Sequence, residues 1–224
     1  MKKYYVDFHL HSIVSRSIGD SIGWFDLNNT LAQIYQQQIK AFAFTDHDCF
    51  DYEQYLKVKE IIDDRQYGMI CFPGVEITIK KSNGRKAHVL FIFNDDYQYD
   101  IQKLEYIIAE NKSDYGTNLK KFINAINDYE YVMIPHVGKS ADNVDVCDVY
   151  DVLDKINYVE VNPNHIDKYK RFCKKANREI AFIYFSDTHC WGENSGYKNP
   201  GVYVETDSFD FKSIFKDLKY QYQI

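Results

Sequence analysis

Short apolar runs alternate with longer segments of helical periodicity along most of this chain. The short runs are rich in β-branched and aromatic residues and predict strands near 4–8, 41–45, 69–72, 75–80, 87–93, 131–135, 157–161, 181–185 and 201–205. The longer segments have apolar residues at i, i+3 and i+4 and predict helices over 27–40, 51–64, 100–112, 116–129, 146–156, 165–179 and 210–220. This order is typical of an α/β protein with repeated βα units around a mostly parallel sheet.

One pair of strands departs from this repeat. Asn83 and Gly84 lie between the runs over 75–80 and 87–93, and this dipeptide favours the tight turn of an antiparallel hairpin. No stretch rich in Pro, Gly or Ser divides the chain, and 224 residues are enough for one well-packed core. We therefore expect a single domain over residues 1–224.

Composition and charge narrow the class of protein. The formal net charge of −6 and the pI near 5.6 argue against binding a polyanion through net charge alone, although a local basic patch or a bound cation could hold phosphate. No run approaches the roughly 20 apolar residues that cross a bilayer, and the first residues lead into a strand rather than a signal peptide. Five cysteines without CxxC spacing are typical of reduced thiols. A soluble, cytoplasmic protein is the expectation.

Most of the histidines lie at one end of an apolar run. Glu76 and Asp187 have similar positions, and the histidines that share them are His9, His11, His47, His88, His136 and His189. In a β/α barrel the ends of parallel strands converge on one mouth, and residues two apart on a strand face the same side. A single HxH is a weak signal, but agreement between five strand ends is strong. Imidazoles and carboxylates gathered in this way predict a polynuclear metal site.

The motifs that contain these residues resemble those of a known family. DFHLHS, AFTDHD, GVEIT, HVL, IPHVG and FSDTH occur in this order over residues 5–206. Together they resemble the PHP (polymerase and histidinol phosphatase) family of metal-dependent phosphoesterases. The resemblance implies a distorted seven-stranded β/α (TIM-like) barrel that holds two or three divalent ions, usually zinc, manganese or iron, at the C-terminal ends of the strands.

The resemblance also implies a role for each strand-end residue. The ligands fall into three groups: His9, His11, Glu76 and Asp187 for a first ion; Glu76, His88 and His136 for a second; and His47 with His189 for a third. Glu76 would then bridge the first two ions. Asp46, in the TDHD motif, is expected to orient a neighbouring ligand rather than to bind an ion itself.

The loop after His11 departs from the family pattern. Arg16 occupies the position where one common pattern has Asp, and Ser17 the position where another has His. Asp20 is therefore the nearest candidate ligand to complete the third site, with a plain turn residue as the alternative. If Asp20 is not a ligand, the third ion is weak or replaced by water, and Arg16 either faces the substrate phosphate or is a solvated loop residue.

The family chemistry implies a metal-activated hydroxide rather than a Ser or Cys nucleophile. A water bridging two ions would have its pKa lowered to roughly 7 and would attack phosphorus in line. Glu76 would act in catalysis as the bridge, and His189 is a candidate general acid for the leaving group. Lys139 and Asn162 follow strand ends and are candidates for contacts with substrate, although for Lys139 a surface lysine is the alternative.

The leading functional hypothesis is a phosphoesterase that acts on a phosphorylated small molecule or a short nucleic acid. Within this class, a histidinol phosphate phosphatase and a nuclease or nucleotidase both remain open. Metal-dependent amidohydrolases share the barrel and the HxH motif, but they often have a bridging lysine where this chain has Glu76. The third hypothesis is a non-catalytic PHP module that binds a partner protein, although no feature of the sequence indicates such a partner.

Overall fold

Strands and helices alternate in this computed structural model. The structure describes residues 1–18, 23, 25–96, 98–139, 142–192 and 196–221, and for residues 16–18 it describes the backbone but not the side chains. The strands are β1 (Lys2–Leu10), β2 (Ile39–Phe44), β3 (Ile70–Cys71), β4 (Gly74–Lys80), β5 (Lys86–Phe93), β6 (Tyr131–Pro135), β7 (Tyr158–Glu160), β8 (Ala181–Ile183), β9 (Val202–Thr206) and β10 (Lys219–Tyr220). The α-helices are α1 (Leu27–Gln36), α2 (Tyr52–Asp64), α3 (Gln102–Asn111), α4 (Leu119–Ala125), α5 (Val146–Val149), α6 (Ile166–Ala176) and α7 (Phe211–Ile214). Short 3₁₀ helices cover Ile13–Ile18, Tyr150–Lys155 and Pro163–His165.

These strands form three sheets. One sheet has the order β10-β9-β1-β2-β3, the second β4-β5-β6, and the third pairs β7 with β8. The pairs β1-β2, β2-β3 and β7-β8 are parallel. The pairs β1-β9, β9-β10, β4-β5 and β5-β6 are antiparallel. The predicted α/β class and the hairpin over 75–93 are therefore confirmed, whereas the sheet pairing is mixed rather than mostly parallel.

Isolated bridges connect the three sheets near the strand ends that carry the predicted ligands. The bridges join Leu10 to Thr188, His47 to Glu76, and His136 to Glu160. They run from β2 to β4, from β6 to β7, and from the segment after β8 back to β1. Among the described residues the longer ladders stay separate and do not close into one barrel. The bridges nevertheless bring the polar strand ends to a common place.

Side-chain alternation on β2 separates two apolar clusters. Ala41 and Ala43 belong to an inner cluster together with Val6 and Phe8 of β1, and all four are fully buried. Phe42 belongs to the other cluster, which includes the apolar faces of helices α1 and α2. Because successive side chains of a strand point to opposite faces, β2 packs against helices on one face and against the other strands on the other.

Gly74 lies where β4 approaches β2 most tightly. A Cβ atom at this position would lie 2.8 Å from Thr45 Cγ2, 3.0 Å from Ala43 Cβ and 3.1 Å from the carbonyl oxygen of Phe44. Because a backbone atom is among these contacts, rotamer changes alone cannot relieve them. We expect Gly74→Ala to lower the free energy of unfolding by about 1–3 kcal/mol. Chemical denaturation measures this change, and an unaltered midpoint and slope would contradict the crowding described here.

The C-terminal segment differs from the helix predicted over 210–220. Helix α7 ends at Ile214, and Lys219 and Tyr220 then pair with β9 as strand β10. The backbone N–H of Leu218 donates to the hydroxyl of Tyr158 at 3.0 Å, which directs the chain away from a helical path. Strand β10 also gives hydrogen-bonding partners to an edge of β9 that would otherwise lack them. No helix in the described ranges is both long and apolar enough to cross a membrane.

Candidate metal centre

The described predicted ligands converge where the strands end. They come from six different places in the fold: His9 and His11 from the end of β1, His47 after β2, Glu76 within β4, His88 within β5, His136 after β6, and Asp187 and His189 after β8. Asp20 lies outside the described residues, as does the side chain of Arg16, whose backbone belongs to the 3₁₀ helix over Ile13–Ile18.

Glu76 is the hub of this arrangement, and its side chain is only 1% exposed. Its Oε2 atom lies 3.1 Å from His9 Nε2 and 3.3 Å from His11 Nε2. The other oxygen, Oε1, lies 2.8 Å from His88 Nδ1 and 3.6 Å from His136 Nε2. One carboxylate thus directs its two oxygens toward two sets of imidazoles, as a residue that bridges two ions must.

Asp187 contacts the same two imidazole nitrogens as Glu76 Oε2 does. Its Oδ1 atom lies 3.2 Å from His9 Nε2 and 3.3 Å from His11 Nε2, and 3.0 Å from His189 Nε2. The backbone of Asp187 has a φ of 52°, in the left-handed region that non-glycine residues seldom adopt. Such strain persists where the surroundings fix a residue for its role, and here it accompanies the turn that brings Asp187 to His9 and His11.

A third group of imidazoles lies beside this set. The rings of His11 and His189 stack with their centroids 3.9 Å apart, and the rings of His11 and His47 stack at 4.7 Å. His11, His47 and His189 can each present a nitrogen within 4.8 Å of the others. The proposed third pair, His47 with His189, is therefore close together, with His11 between the two.

Asp46 acts on the ligands through serine hydroxyls. Its carboxylate accepts hydrogen bonds from the backbone N–H of Ser12 at 2.7 Å and from the hydroxyls of Ser12 and Ser15 at 2.6 Å each. The Ser15 hydroxyl in turn lies 3.4 Å from His11 Nδ1 and 3.3 Å from the backbone N–H of His47. Asp46 can therefore orient His11 only indirectly, and Ser12 and Ser15 are participants that the sequence reading missed.

Glu160 is the most important residue that the sequence reading missed. It is fully buried, and its Oε2 atom lies 2.8 Å from His9 Nδ1 and 3.0 Å from His136 Nε2. Its Oε1 atom accepts hydrogen bonds from Lys139 Nζ at 2.8 Å and from the backbone N–H of Phe185 at 3.3 Å. The signal in the sequence was weak, because Glu160 lies near the end of an apolar run as Glu76 does, but its alternation with Val159 and Val161 is equally typical of a solvent-facing strand residue.

Lys139 points into the centre and is not a surface lysine. Its side chain is 6% exposed, and its ammonium lies 2.8 Å from Glu160 Oε1 and 3.3 Å from Asp187 Oδ2. It also contacts the Nδ1 atom of His9. The alternative of a solvated lysine is therefore wrong, while a contact with substrate stays a prediction.

Asn162 lies just after β7, two residues beyond Glu160. Its side-chain oxygen accepts a hydrogen bond from the backbone N–H of Asn164 and caps the 3₁₀ helix over Pro163–His165. Its side-chain nitrogen faces the Tyr184 hydroxyl at 3.5 Å. A direct contact between Asn162 and substrate stays a prediction.

The similarities of this chain lie with solved structures. No family model matches the sequence, and no curated protein matches it. A candidate metal-dependent phosphoesterase from Bifidobacterium adolescentis has 13% sequence identity and a TM-score of 0.60, over 86% of this chain and 90% of that one. An amidohydrolase from Chromobacterium violaceum, solved with bound sulfate and no metal, has the same identity and coverage with a TM-score of 0.51. At this identity the likeness establishes the fold alone.

The negative charge of the buried carboxylates favours the binding of cations at this centre. Burial alone would raise the pKa of Glu76, but the imidazoles of His9, His11 and His88 hold this pKa well below its usual range. Burial and Lys139 oppose charge on His9, yet Glu160, Asp187 and Glu76 outweigh them and raise the pKa of the ring to about 10. A field that binds protons so strongly also favours metal cations, which compete with protons for the same nitrogens.

His136 is different, because burial dominates and lowers its pKa, which favours the neutral ring that a metal requires. Glu76 Oε1 and both ring nitrogens of His136 are buried and make no well-directed hydrogen bond within the described residues, although Oε1 lies 2.8 Å from His88 Nδ1 and His136 Nε2 lies 3.0 Å from Glu160 Oε2. Buried polar atoms rarely lack a well-directed hydrogen bond in folded proteins. A divalent ion would satisfy them, and a mixture of imidazole and carboxylate donors is typical of metal sites.

Proposed function

We propose that this protein is a metal-dependent phosphoesterase of the PHP type, which hydrolyses a phosphomonoester or a nucleotidic phosphodiester. The observation that carries the proposal is the position of Glu76, whose two oxygens face separate sets of imidazoles. Two ions held close together by a shared carboxylate are typical of enzymes that hydrolyse phosphate esters. The similar fold of a candidate metal-dependent phosphoesterase supports the same reaction class.

The proposal includes a distorted seven-stranded barrel. Starting from β1, the pairings and isolated bridges lead through β2, β4, β5, β6, β7 and β8 and then back to β1 through Leu10 and Thr188. This ring has seven strands, and single bridges replace longer ladders at three of its joints. This arrangement supports a distorted barrel whose three sheets are joined, within the described residues, only by single bridges, which lie near the predicted metal ligands.

The residues around the centre can take different roles in hydrolysis. When bound, divalent ions supply the Lewis acidity that activates water and offsets negative charge on phosphate. His9, His11 and Asp187 would hold one ion, and His88 and His136 another, with Glu76 shared between the two. Glu160 can accept a hydrogen bond from the Nδ1–H group of His9, which leaves the Nε2 lone pair directed toward Glu76 and Asp187.

Lys139 and His189 are placed for other tasks. The Lys139 ammonium lies between Glu160 and Asp187, where it can add positive charge beside a phosphate oxygen. The His189 side chain is 32% exposed, so that it reaches both Asp187 and the solvent at the mouth. A proton on this ring can pass to a leaving group. His189 is proposed both as a metal ligand and as the general acid. A ring nitrogen that binds an ion cannot carry the proton, so these two roles require different nitrogens of the ring.

Amide hydrolysis is a second candidate function. It is favoured by the buried Lys139 beside His9 and Asp187, because metal-dependent amidohydrolases often contain a lysine at the metals, and by the similar fold of an amidohydrolase. Glu76 argues for the phosphoesterase instead, since it occupies the bridging position that such a lysine would take.

A substrate panel tests the proposed function. The protein is stripped with a chelator, reloaded with manganese or zinc, and assayed with histidinol phosphate, nucleotides, short oligonucleotides and N-acyl amino acids. We expect release of phosphate or cleavage of a phosphodiester that disappears with the chelator and returns with the metal. Hydrolysis of amides alone would replace the proposal with the second candidate. Metal binding without any hydrolysis would favour the non-catalytic module.

A further inference from the structure

A cavity of about 500 Å³ opens directly beside the metal centre. Asp187 and His189, two of the predicted ligands, belong to its lining, and so do Tyr184 and Tyr220. A volume of this size is typical of sites for small molecules. The cavity is therefore continuous with the place where phosphate would bind and large enough for the rest of a compact substrate.

Aromatic side chains distinguish this cavity. The rings of Tyr184 and Tyr220 meet at nearly a right angle, 85°, with their centroids 6.3 Å apart, and both side chains are half-buried. The hydroxyl of Tyr184 lies 3.5 Å from the side-chain nitrogen of Asn162, which helps to fix its direction. Tyrosines held in this way offer ring faces and edges to a planar group at little cost in conformational freedom.

A basic cleft elsewhere on the surface is the competing place for an extended substrate. It is lined by Lys81, Lys168, Arg171 and Lys175, all of which carry positive charge. None of the predicted metal ligands belongs to its lining, and Lys81 is already paired with Asp145 at 3.4 Å. The cavity beside Asp187 is thus the better candidate for a group attached directly to the reacting phosphate.

We propose that this cavity binds the leaving group of the substrate, and that this group contains an aromatic or heteroaromatic ring that packs against Tyr184 and Tyr220. The substrate class would then be a compact phosphomonoester with a planar ring, rather than a strand of nucleic acid or an aliphatic phosphate. The inference rests on the proposed phosphoesterase function, and it assigns the tyrosines to specificity rather than to the chemical step.

The test compares an aromatic with an aliphatic substrate. Tyr184→Leu and Tyr220→Leu are each assayed on phenyl phosphate and on glycerol 1-phosphate, with Tyr184→Phe as the conservative variant. We expect each leucine variant to raise KM for phenyl phosphate by about 3- to 10-fold at nearly constant kcat, because a favourable ring contact is lost. Glycerol 1-phosphate should be affected by less than about twofold, and Tyr184→Phe should retain the preference. Tyr150→Leu, at a side chain 73% exposed, is the matched control.

Equal losses on both substrates would overturn the inference, because they would assign the tyrosines a general structural role. Failure of the proposed function is distinguishable from this outcome. If no phosphate ester is hydrolysed, calorimetry of phenyl phosphate with the metal-loaded protein still examines the cavity. Binding that weakens in Tyr184→Leu supports the site, and binding that is absent in the unsubstituted protein, or unchanged in the variant, overturns it.

Discussion

Glu76→Gln is expected to release the bound metal and to abolish hydrolysis. The substitution keeps the shape of the side chain but removes the negative charge that faces His9, His11, His47, His88 and His136. An amide can also bind only one ion through its single oxygen. Loss of a residue that merely orients a ligand costs about 10- to 100-fold in metal affinity or activity, and loss of a shared ligand should exceed that range.

Elemental analysis and the phosphoesterase assay measure this effect. Glu110→Gln is the matched control, because it removes a carboxylate from the exposed face of α3, where Glu110 accepts a hydrogen bond from the Tyr106 hydroxyl. Circular dichroism establishes that the Glu76 variant is folded. A folded variant that keeps both its ions and its activity would refute the bridging role of Glu76.

Glu160→Gln is expected to weaken metal binding by about 10- to 100-fold without removing a predicted ligand. The carboxylate of Glu160 serves His9, His136 and Lys139 at once. Glutamine has only one side-chain oxygen, so it cannot replace both Oε2, which faces His9, and Oε1, which accepts from Lys139. The ammonium of Lys139 would then pair with Asp187 alone and compete with the ion for that residue.

Chelator competition gives the metal affinity directly. Glu205→Gln is the control, because Glu205 is an exposed residue of β9 whose carboxylate pairs with Lys219. Activity of the Glu160 variant should recover when manganese or zinc is added in excess, since the ligands themselves remain. An affinity equal to that of the unsubstituted protein would show that Glu160 does not position His9.

The sequence was sufficient to place the histidines because their signal is local. Six of the seven lie at one end of an apolar run, and the C-terminal ends of strands that run the same way meet in space. His88 is at the start of its run and joins them because β5 is antiparallel to its neighbours. Glu76 and Asp187 were found by the same pattern. The antiparallel hairpin over 75–93 was also predictable, since Asn83 and Gly84 favour one type of tight turn.

The parts that were not predictable depend on contacts between distant segments. Lys139 turns inward at a point where the backbone N–H groups of Gly138 and Lys139 both donate to the side-chain oxygen of Asn143, a contact that no local sequence pattern indicates. Glu160 alternates with apolar neighbours, as a solvent-facing residue of a strand would, and only the approach of His9 reveals its burial. Strand β10 forms because β9 has a free edge, which no local pattern over 210–220 indicates.

The measurement that tests the central claim most directly is the metal content of the purified chain. The protein is stripped, loaded with manganese or zinc, freed of excess ion and measured by inductively coupled plasma mass spectrometry against protein concentration. The shared position of Glu76 between two sets of imidazoles predicts two or three ions per chain. Fewer than two ions per folded chain, even after loading with either metal, would contradict a polynuclear centre.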